Sequence, residues 1–311
     1  MSQTKEFYQL DVFTKTKFGG NPLAVFPDAE GIEDRVMQQI ARELNLSETV
    51  FVLPSDKPAA LRRLRIFTPT KELPIAGHPV VGTWNLLAHL GLLRDAPLDG
   101  AIKIQHELGV GVLPVEIEFA DALPVKVTMT TGALTMGEIV SDTEVLEKIA
   151  AAFNLTTADL TLDAPVQKAG IGVEFTIIGL RSLDALKRAR ADIGKLTLLP
   201  KILPGEFSLW TRETFEDNSA IHTRMFAPEF GITEDPATGS AAGALGGYLT
   251  HHNLLENNYQ NNGVFRFIVE QGDFINRPSR IEVEVTRRSN KVEKIRVGGA
   301  AVIVSRGEIF L

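Results

Sequence analysis

The chain contains no cysteine. That excludes disulfides, thiolate metal sites and a cysteine nucleophile, and with them racemases that use a pair of thiols as their two bases. No stretch approaches the ~18 consecutive apolar residues of a membrane span. The start, Met1-Ser2-Gln3-Thr4-Lys5-Glu6, leads directly into a strand-like Phe7–Phe13 without a signal-peptide core, so a cytoplasmic location is expected. Basic residues are outnumbered by acidic ones, 32 to 39, and the formal net charge of −7 argues against nucleic acid as the main partner. The basic cluster Arg62-Arg63-x-Arg65 alternates with Leu61, Leu64 and Ile66 and reads as a solvated strand face. There is no Gly-rich phosphate loop, no dinucleotide fingerprint and no His-Glu-x-x-His helix. Gly239-Ser240-Ala241-Ala242-Gly243 lacks the glycines two residues either side of serine that a nucleophile elbow needs. No metal and no cofactor is expected.

What the chain does contain is a short pattern that occurs twice. Glu72-Leu73-Pro74-Ile75-Ala76-Gly77-His78 and Glu234-Asp235-Pro236-Ala237-Thr238-Gly239-Ser240 both read E-x-P-x-x-G-x. Each follows an Arg-x-Phe-x-Pro stretch, Arg65–Pro69 and Arg224–Pro228, and each leads into an apolar run. Proline suits a turn or a first helical turn, and glycine permits close approach. The pattern therefore predicts a turn opening a helix, over about 79–90 and 240–250. The second run, with Ala241, Ala242, Ala244, Leu245, Tyr248 and Leu249, is apolar nearly all round, so it reads as buried. Gly243, Gly246 and Gly247 weaken it by roughly 1 kcal/mol each against alanine, which predicts close packing there.

A length of 311 residues agrees with two domains built on this repeat. Upstream, the stretch Met37–Glu48 has apolar residues at Met37, Ile40, Ala41 and Leu44, a helical pattern. In the second half, Ser141-x-x-Glu144 has the form of a capping box before Val145, Leu146, Ile149 and Phe153. Aligning Asn154-Leu155-Thr156 with Asn45-Leu46-Ser47 sets Thr157 opposite Glu48, and the repeat sets Leu73 opposite Asp235. Each half would then hold a carboxylate that the other lacks, which suggests two acid–base roles at one cleft. The alternative is that Glu48 and Asp235 are ordinary surface carboxylates. Strand-like segments dominate elsewhere, so the fold class is α+β: two pseudo-symmetric lobes, each a mixed β-sheet wrapped around a central helix. Ala120–Pro124 reads as the connection, giving lobes 1–122 and 123–298, with a last strand at about 299–311 that could return to the first lobe. His89, His106 and His222 read as structural, and His251-His252 as exposed or capping a helix. Trp84 and Trp210 read as core or dimer contacts. Asn21 reads as a turn or site residue, and Arg224 as the partner of a core carboxylate or of substrate.

These stretches, with Asp11–Thr14, Gly20–Val25, Ser47-Glu48-Thr49-x-Phe51, Glu270-Gln271-Gly272 and Val297-Gly298-Gly299-x-Ala301, resemble the phenazine-biosynthesis isomerase (PhzF-like) family over nearly the whole chain. The resemblance implies the diaminopimelate-epimerase-like fold and a cytoplasmic homodimer. It implies Glu48 as general acid/base, with His78, Asp235 and Ser240 shaping the site and assisting proton movement. Ser47, Gly77 and Gly239 would contact substrate. The expected activity is a cofactor-independent isomerase that moves a proton and double bond on a small carboxylate. Backbone N–H groups at the two helix starts would bind the carboxylate, and Val50, Phe51 and Val52 would help raise the basicity of Glu48. A non-catalytic scaffold that binds small anions, or a Glu/Asp hydrolase, are the competing readings.

Overall fold

The fold is described from a computed structural model that covers residues 4–199, 203, 206–228, 231–255 and 259–311. It forms two compact units, Met1–Thr130 with Gly298–Leu311, and Thr131–Val297. The first runs through β1 (Thr4–Val12), β2 (Asn21–Phe26), α1 (Asp34–Leu44), β3 (Glu48–Leu53), β4 (Arg63–Phe67), β5 (Glu72–Leu73), α2 (Gly77–His89), β6 (Gly100–Leu108), β7 (Gly111–Ala120) and β8 (Leu123–Thr130). The second opens with β9 (Thr135–Ile139), α3 (Thr143–Ala152), β10 (Gln167–Gly170), β11 (Glu174–Gly179), α4 (Leu183–Arg188) and α5 (Ile193–Leu196). It continues with β12 (Phe207–Thr211), β13 (Ile221–Ala227), β14 (Ile232–Asp235), α6 (Gly239–His251), β15 (Gln260–Asn261), β16 (Val264–Gln271), β17 (Ser279–Arg288) and β18 (Lys291–Gly299). The final strand, β19 (Ala301–Phe310), returns to the first unit and lies antiparallel to β1.

The strand pairings of the two units match in order and sense. In the first, β1–β2 is antiparallel, β2–β3 parallel, β3–β4 and β4–β5 antiparallel, and β4–β6 parallel. In the second, β10–β11 is antiparallel, β11–β12 parallel, β12–β13 and β13–β14 antiparallel, and β13–β16 parallel. A parallel pair needs a crossover. α1 supplies it between β2 and β3, while α4 and α5 supply it between β11 and β12.

This order corrects three expectations. α3 precedes β10, so it is not the counterpart of α1, and Thr157 is not the counterpart of Glu48. The shared Asn-Leu-Ser/Thr ending is a helix stop: Asn45 and Asn154 both take left-handed backbone after their helices, at φ 50° and 57°. Second, α3 is capped by Asp142 rather than Ser141, the Asp142 carboxylate accepting the N–H groups of Glu144 and Val145. Third, Ala120–Pro124 is not a link between units. Asp121 and Ala122 turn a hairpin with φ of 50° and 62°, so β8 pairs back along β7 and the division follows Thr130.

The two central helices are buried on nearly every side. α2 packs on β1, β2, β3, β8 and β19, and α6 on β10, β11 and β17. The helical glycines allow this closeness: a Cβ at Gly243 would lie 2.6 Å from Ile171, and one at Gly246 2.6 Å from Val283. Outer clusters cover the opposite sheet faces. Phe26, Phe51 and Phe67 pack with Met37, Ile40 and Ala41 of α1, and Phe207, Leu209 and Phe226 pack with residues of α3 and α4. Trp84 and Trp210 are core residues, and Asn21 lies buried within β2, paired to Val12, rather than in a turn.

The repeated arginine and glutamate form a clasp in each unit. Arg65 binds Glu72 with two parallel bonds of 2.8 and 2.7 Å, across the β4–β5 hairpin. Arg224 binds Glu234 the same way at 2.8 and 2.6 Å, across β13–β14. Arg65 therefore belongs to a clasp that also takes in Asp34, not to a solvated face. The second clasp is the more buried, and Arg224 also donates to the carbonyls of Leu186 and Ala189. Cutting it strands a buried guanidinium. We expect Glu234→Gln to cost about 3–5 kcal/mol of unfolding free energy, and Glu72→Gln, at a wetter clasp, about 1 kcal/mol. Urea unfolding of the two variants measures this, and equal costs would reject the ranking.

Candidate active site

In the first unit the site is built where α1 hands over to β3. Asn45 ends the helix, and Glu48 begins the strand beside Leu23 of β2. Along β3, Phe51 belongs to the outer cluster, so Glu48, Val50 and Val52 lie on the other face, toward α2. His78 is the second residue of α2, and its Nε2 lies 3.1 Å from the Glu48 carboxylate. The structure thus joins two residues that are 30 positions apart in sequence (78 − 48). Burial pulls the basicity of His78 well below the ordinary histidine value, down to about 3, so the imidazole is neutral at physiological pH. A neutral imidazole against a carboxylate can donate one hydrogen bond or accept the proton of the acid form. Ala76, the residue before α2, has no side-chain group to cap the helix, so the N–H groups of its first turn keep no side-chain acceptor of that kind. Ser47 and Gly77 flank this pair in sequence.

In the second unit Asp235 ends β14, opposite Met225, while Leu73 sits opposite Ile66 in β5. The two positions correspond, as the repeat predicts. Asp235 is buried and accepts a hydrogen bond from the Thr238 hydroxyl. Thr238 precedes α6, but its side chain serves Asp235 rather than capping the helix. Gly239 and Ser240 are the first two residues of α6, in the places of Gly77 and His78.

Gln271 holds this loop and was not among the residues that sequence reasoning selected for the site. Its amide oxygen accepts the Thr238 N–H at 3.1 Å, and its amide nitrogen donates to the Asp235 carbonyl at 2.7 Å and to the Thr238 hydroxyl at 3.1 Å. Since Thr238 Oγ1 accepts from Gln271, its own proton is free for Asp235. The next residue, Gly272, has φ 83°, and a Cβ there would lie 2.5 Å from the Pro236 carbonyl. Its presence beside Glu270 in the Glu-Gln-Gly stretch was the available signal.

His222, Glu270 and Asp273 are the one group with metal-ligand spacing among the described residues. They do not fit a metal. The Arg280 guanidinium already supplies the cation, 3.1 Å from Asp273 and 3.9 Å from Glu270. Glu270 also accepts the N–H groups of Phe215 and Glu216, and so ties down the β12–β13 loop. Arg63 and Glu107 hold the corresponding β4–β6 positions. The cluster is an anchor, and His222 is structural as expected. His89 and His251 are exposed, and His252 ends α6 with Nε2 2.7 Å from the Gln167 amide oxygen.

His106 is buried on β6, edge-on to Trp84 of α2. Burial lowers its basicity to about 4. The unfolded chain, with histidines near 6.5, takes up protons that folded His106 and His78 refuse. Stability contributed by these neutral histidines is full above about pH 6.5 and falls as pH drops toward 4. Each would cost about 2 kcal/mol between pH 6.5 and 5. We expect His106→Phe to remove roughly half of that pH dependence, measured by urea unfolding across this range. An unchanged slope would show that His106 takes no part.

A mixed sheet wrapped around a central helix in each unit is the diaminopimelate-epimerase-like fold. The family model "Phenazine biosynthesis-like protein" matches residues 10–307, and the chain belongs to that family and is an isomerase. An uncharacterized isomerase of Clostridium acetobutylicum is 37% identical over 312 residues, covering 100% of both chains. The trans-2,3-dihydro-3-hydroxyanthranilate isomerase of Pseudomonas fluorescens is 33% identical over 305 residues, covering 97% of this chain and 98% of that protein. Among solved structures, a Bacillus anthracis phenazine biosynthesis protein of the PhzF family superposes with a TM-score of 0.88 at 28% identity, over 99% of this chain and 100% of the other. A hydroxyproline epimerase of Agrobacterium vitis shares the fold alone, with a TM-score of 0.62 at 11% identity, over 99% of this chain and 92% of the other. No helix among the described residues is long and apolar enough to cross a membrane.

Proposed function

We propose that this isomerase moves a hydrogen and a double bond on a small carboxylate, with Glu48 as general base and no cofactor. The observation that carries the reading is the Glu48–His78 pair at 3.1 Å, beside the start of α2. A carboxylate bound at free helix-start N–H groups draws charge from a conjugated C–H. Glu48 removes that proton. Neutral His78 steadies the carboxyl group in both protonation states without contributing a competing positive charge. Asp235, fixed by Thr238 and Gln271, serves as an acceptor for a substrate hydroxyl or amine, and Ser240 assists at the second helix start.

The first compound to test is trans-2,3-dihydro-3-hydroxyanthranilate, the substrate in the name of the Pseudomonas fluorescens relative, followed by other small unsaturated carboxylates. Incubation in heavy water, read by mass spectrometry, should show carbon-bound deuterium with the wild type. Glu48→Gln should lower turnover by at least ~100-fold while carboxylate binding changes little. Near-wild-type turnover by that variant removes Glu48 as the base. Oxygen from water in the product would instead indicate hydrolysis.

A further inference from the structure

The first unit shows what the loop before the second central helix would need if its role were structural alone. Arg63 pairs with Glu107 in the first unit, and His222 pairs with Glu270 in the second. Glu107-Leu108-Gly109 therefore corresponds to Glu270-Gln271-Gly272. The glycine has the same surroundings in both. A Cβ at Gly109 would lie 2.8 Å from Pro74 Cα and 3.1 Å from the Pro74 carbonyl oxygen, and one at Gly272 2.5 Å from the Pro236 carbonyl oxygen. Each strand end is packed against the proline turn that leads into its helix.

The repeat supplies two more correspondences, Leu73 with Asp235 and Ala76 with Thr238. The first unit thus builds this turn with Leu73, Ala76 and Leu108, and the second with Asp235, Thr238 and Gln271. Leu108 and Gln271 are both buried. In the first unit the proline turn, the glycine contact and the helix start are all in place with three apolar side chains. The frame does not require the polar trio.

The hydrogen bonds of the trio run in one sense only. Gln271 Oε1 accepts the Thr238 N–H, and Gln271 Nε2 donates to the Asp235 carbonyl. Both partners are backbone groups with fixed roles, so they fix which end of the amide is oxygen. Nε2 also donates to Thr238 Oγ1. The hydroxyl, accepting there, gives its one proton to Asp235 Oδ2, which is therefore an acceptor. Ser279, opposite Gln271 on β17, donates to the Pro236 carbonyl at 2.9 Å and holds the turn independently of the trio.

We propose that Gln271 is a positioning residue for the reaction: through the Thr238 hydroxyl it fixes the Asp235 carboxyl group as the acceptor for a substrate hydroxyl or amine. This rests on the role given to Asp235 above. Gln271 transfers no proton. It orients the hydroxyl, the hydroxyl orients the carboxyl group, and rotation of that group breaks the bond to Thr238. Leucine, as at position 108, would keep the frame and remove the orientation.

The test uses the full chain with trans-2,3-dihydro-3-hydroxyanthranilate and then the carboxylate panel, following product formation in heavy water. Gln271→Leu should lower kcat/KM at least ~10-fold through misplacement of Asp235, and Thr238→Val should match it. Thr238→Ser, which keeps the hydroxyl, should stay within about threefold of wild type, and adding Gln271→Leu to Asp235→Asn should change the rate of that variant by no more than about threefold. In the free enzyme, NMR should show a slowly exchanging Thr238 hydroxyl proton that is absent from Gln271→Leu. Wild-type kcat/KM in Gln271→Leu overturns the proposal. So does a loss that tracks a lowered Tm and multiplies in full with that of Asp235→Asn, since that is a folding role. Wild-type turnover by Asp235→Asn removes the role of Asp235 and the proposal with it. No exchange by the wild type on any compound is a separate result, which overturns the isomerase reading itself together with what rests on it.

Discussion

The arginine–glutamate clasp is the interaction on which the rest of each unit depends. A strand of two residues, β5, or four, β14, has too few ladder bonds to hold a sharp reversal. The bidentate pair fixes it from the side-chain layer instead, in a geometry that Arg supplies and Lys does not. The reversal sets where Pro74 and Pro236 fall, and the proline turns set where the next helix begins. The fixed spacing of Arg-x-Phe-x-Pro and E-x-P-x-x-G is thus the record of one mechanical unit used twice. Phe67 and Phe226 in the same stretch anchor the outer clusters, so the clasp also ties the hairpin to the core.

A helix delivered this way can afford to be apolar. α2 and α6 have almost no polar face, and strands cover them. Their first turns remain the polar points, because the helix-start N–H groups have no earlier carbonyl to bond. Neither start uses a side-chain cap: Ala76 has none to give, and Thr238 turns its hydroxyl to Asp235. The start of each central helix therefore keeps backbone hydrogen-bonding capacity that no capping side chain takes up.

How much was legible in the sequence follows from the range of each signal. The repeat was legible because the clasp, turn and helix start are contiguous in sequence. The correspondence of Leu73 with Asp235 came with it and agrees with the strand register. The α+β class was also readable, whereas the return of the last strand to the first unit was left open by the sequence and comes from its pairing with β1. The counterpart of Glu48 was not readable, since it depends on which strand pairs with which, and the local likeness of two helix endings pointed to Thr157. Both endings carry asparagine for the same conformational reason, which reveals a helix stop but not a place in the fold. Gln271 was quoted within a motif, yet its role stayed hidden because its partners, Asp235 and Thr238, are more than 30 residues away in sequence. The hairpin at Asp121-Ala122 looked like a linker because both are turns, and only pairing distinguishes them.

The duplicated frame also explains why equivalent places hold different groups. Duplication carries geometry from one half to the other, because strand order, crossover, clasp and helix start all depend on one another. The side chain at the second helical position carries no such load, so His78 and Ser240 can differ without disturbing the frame. The same freedom applies to Leu73 and Asp235: the first faces no need for a polar partner, whereas the second brings Thr238 and Gln271 with it as a fixed network. Where the halves differ, the frame explains why they can.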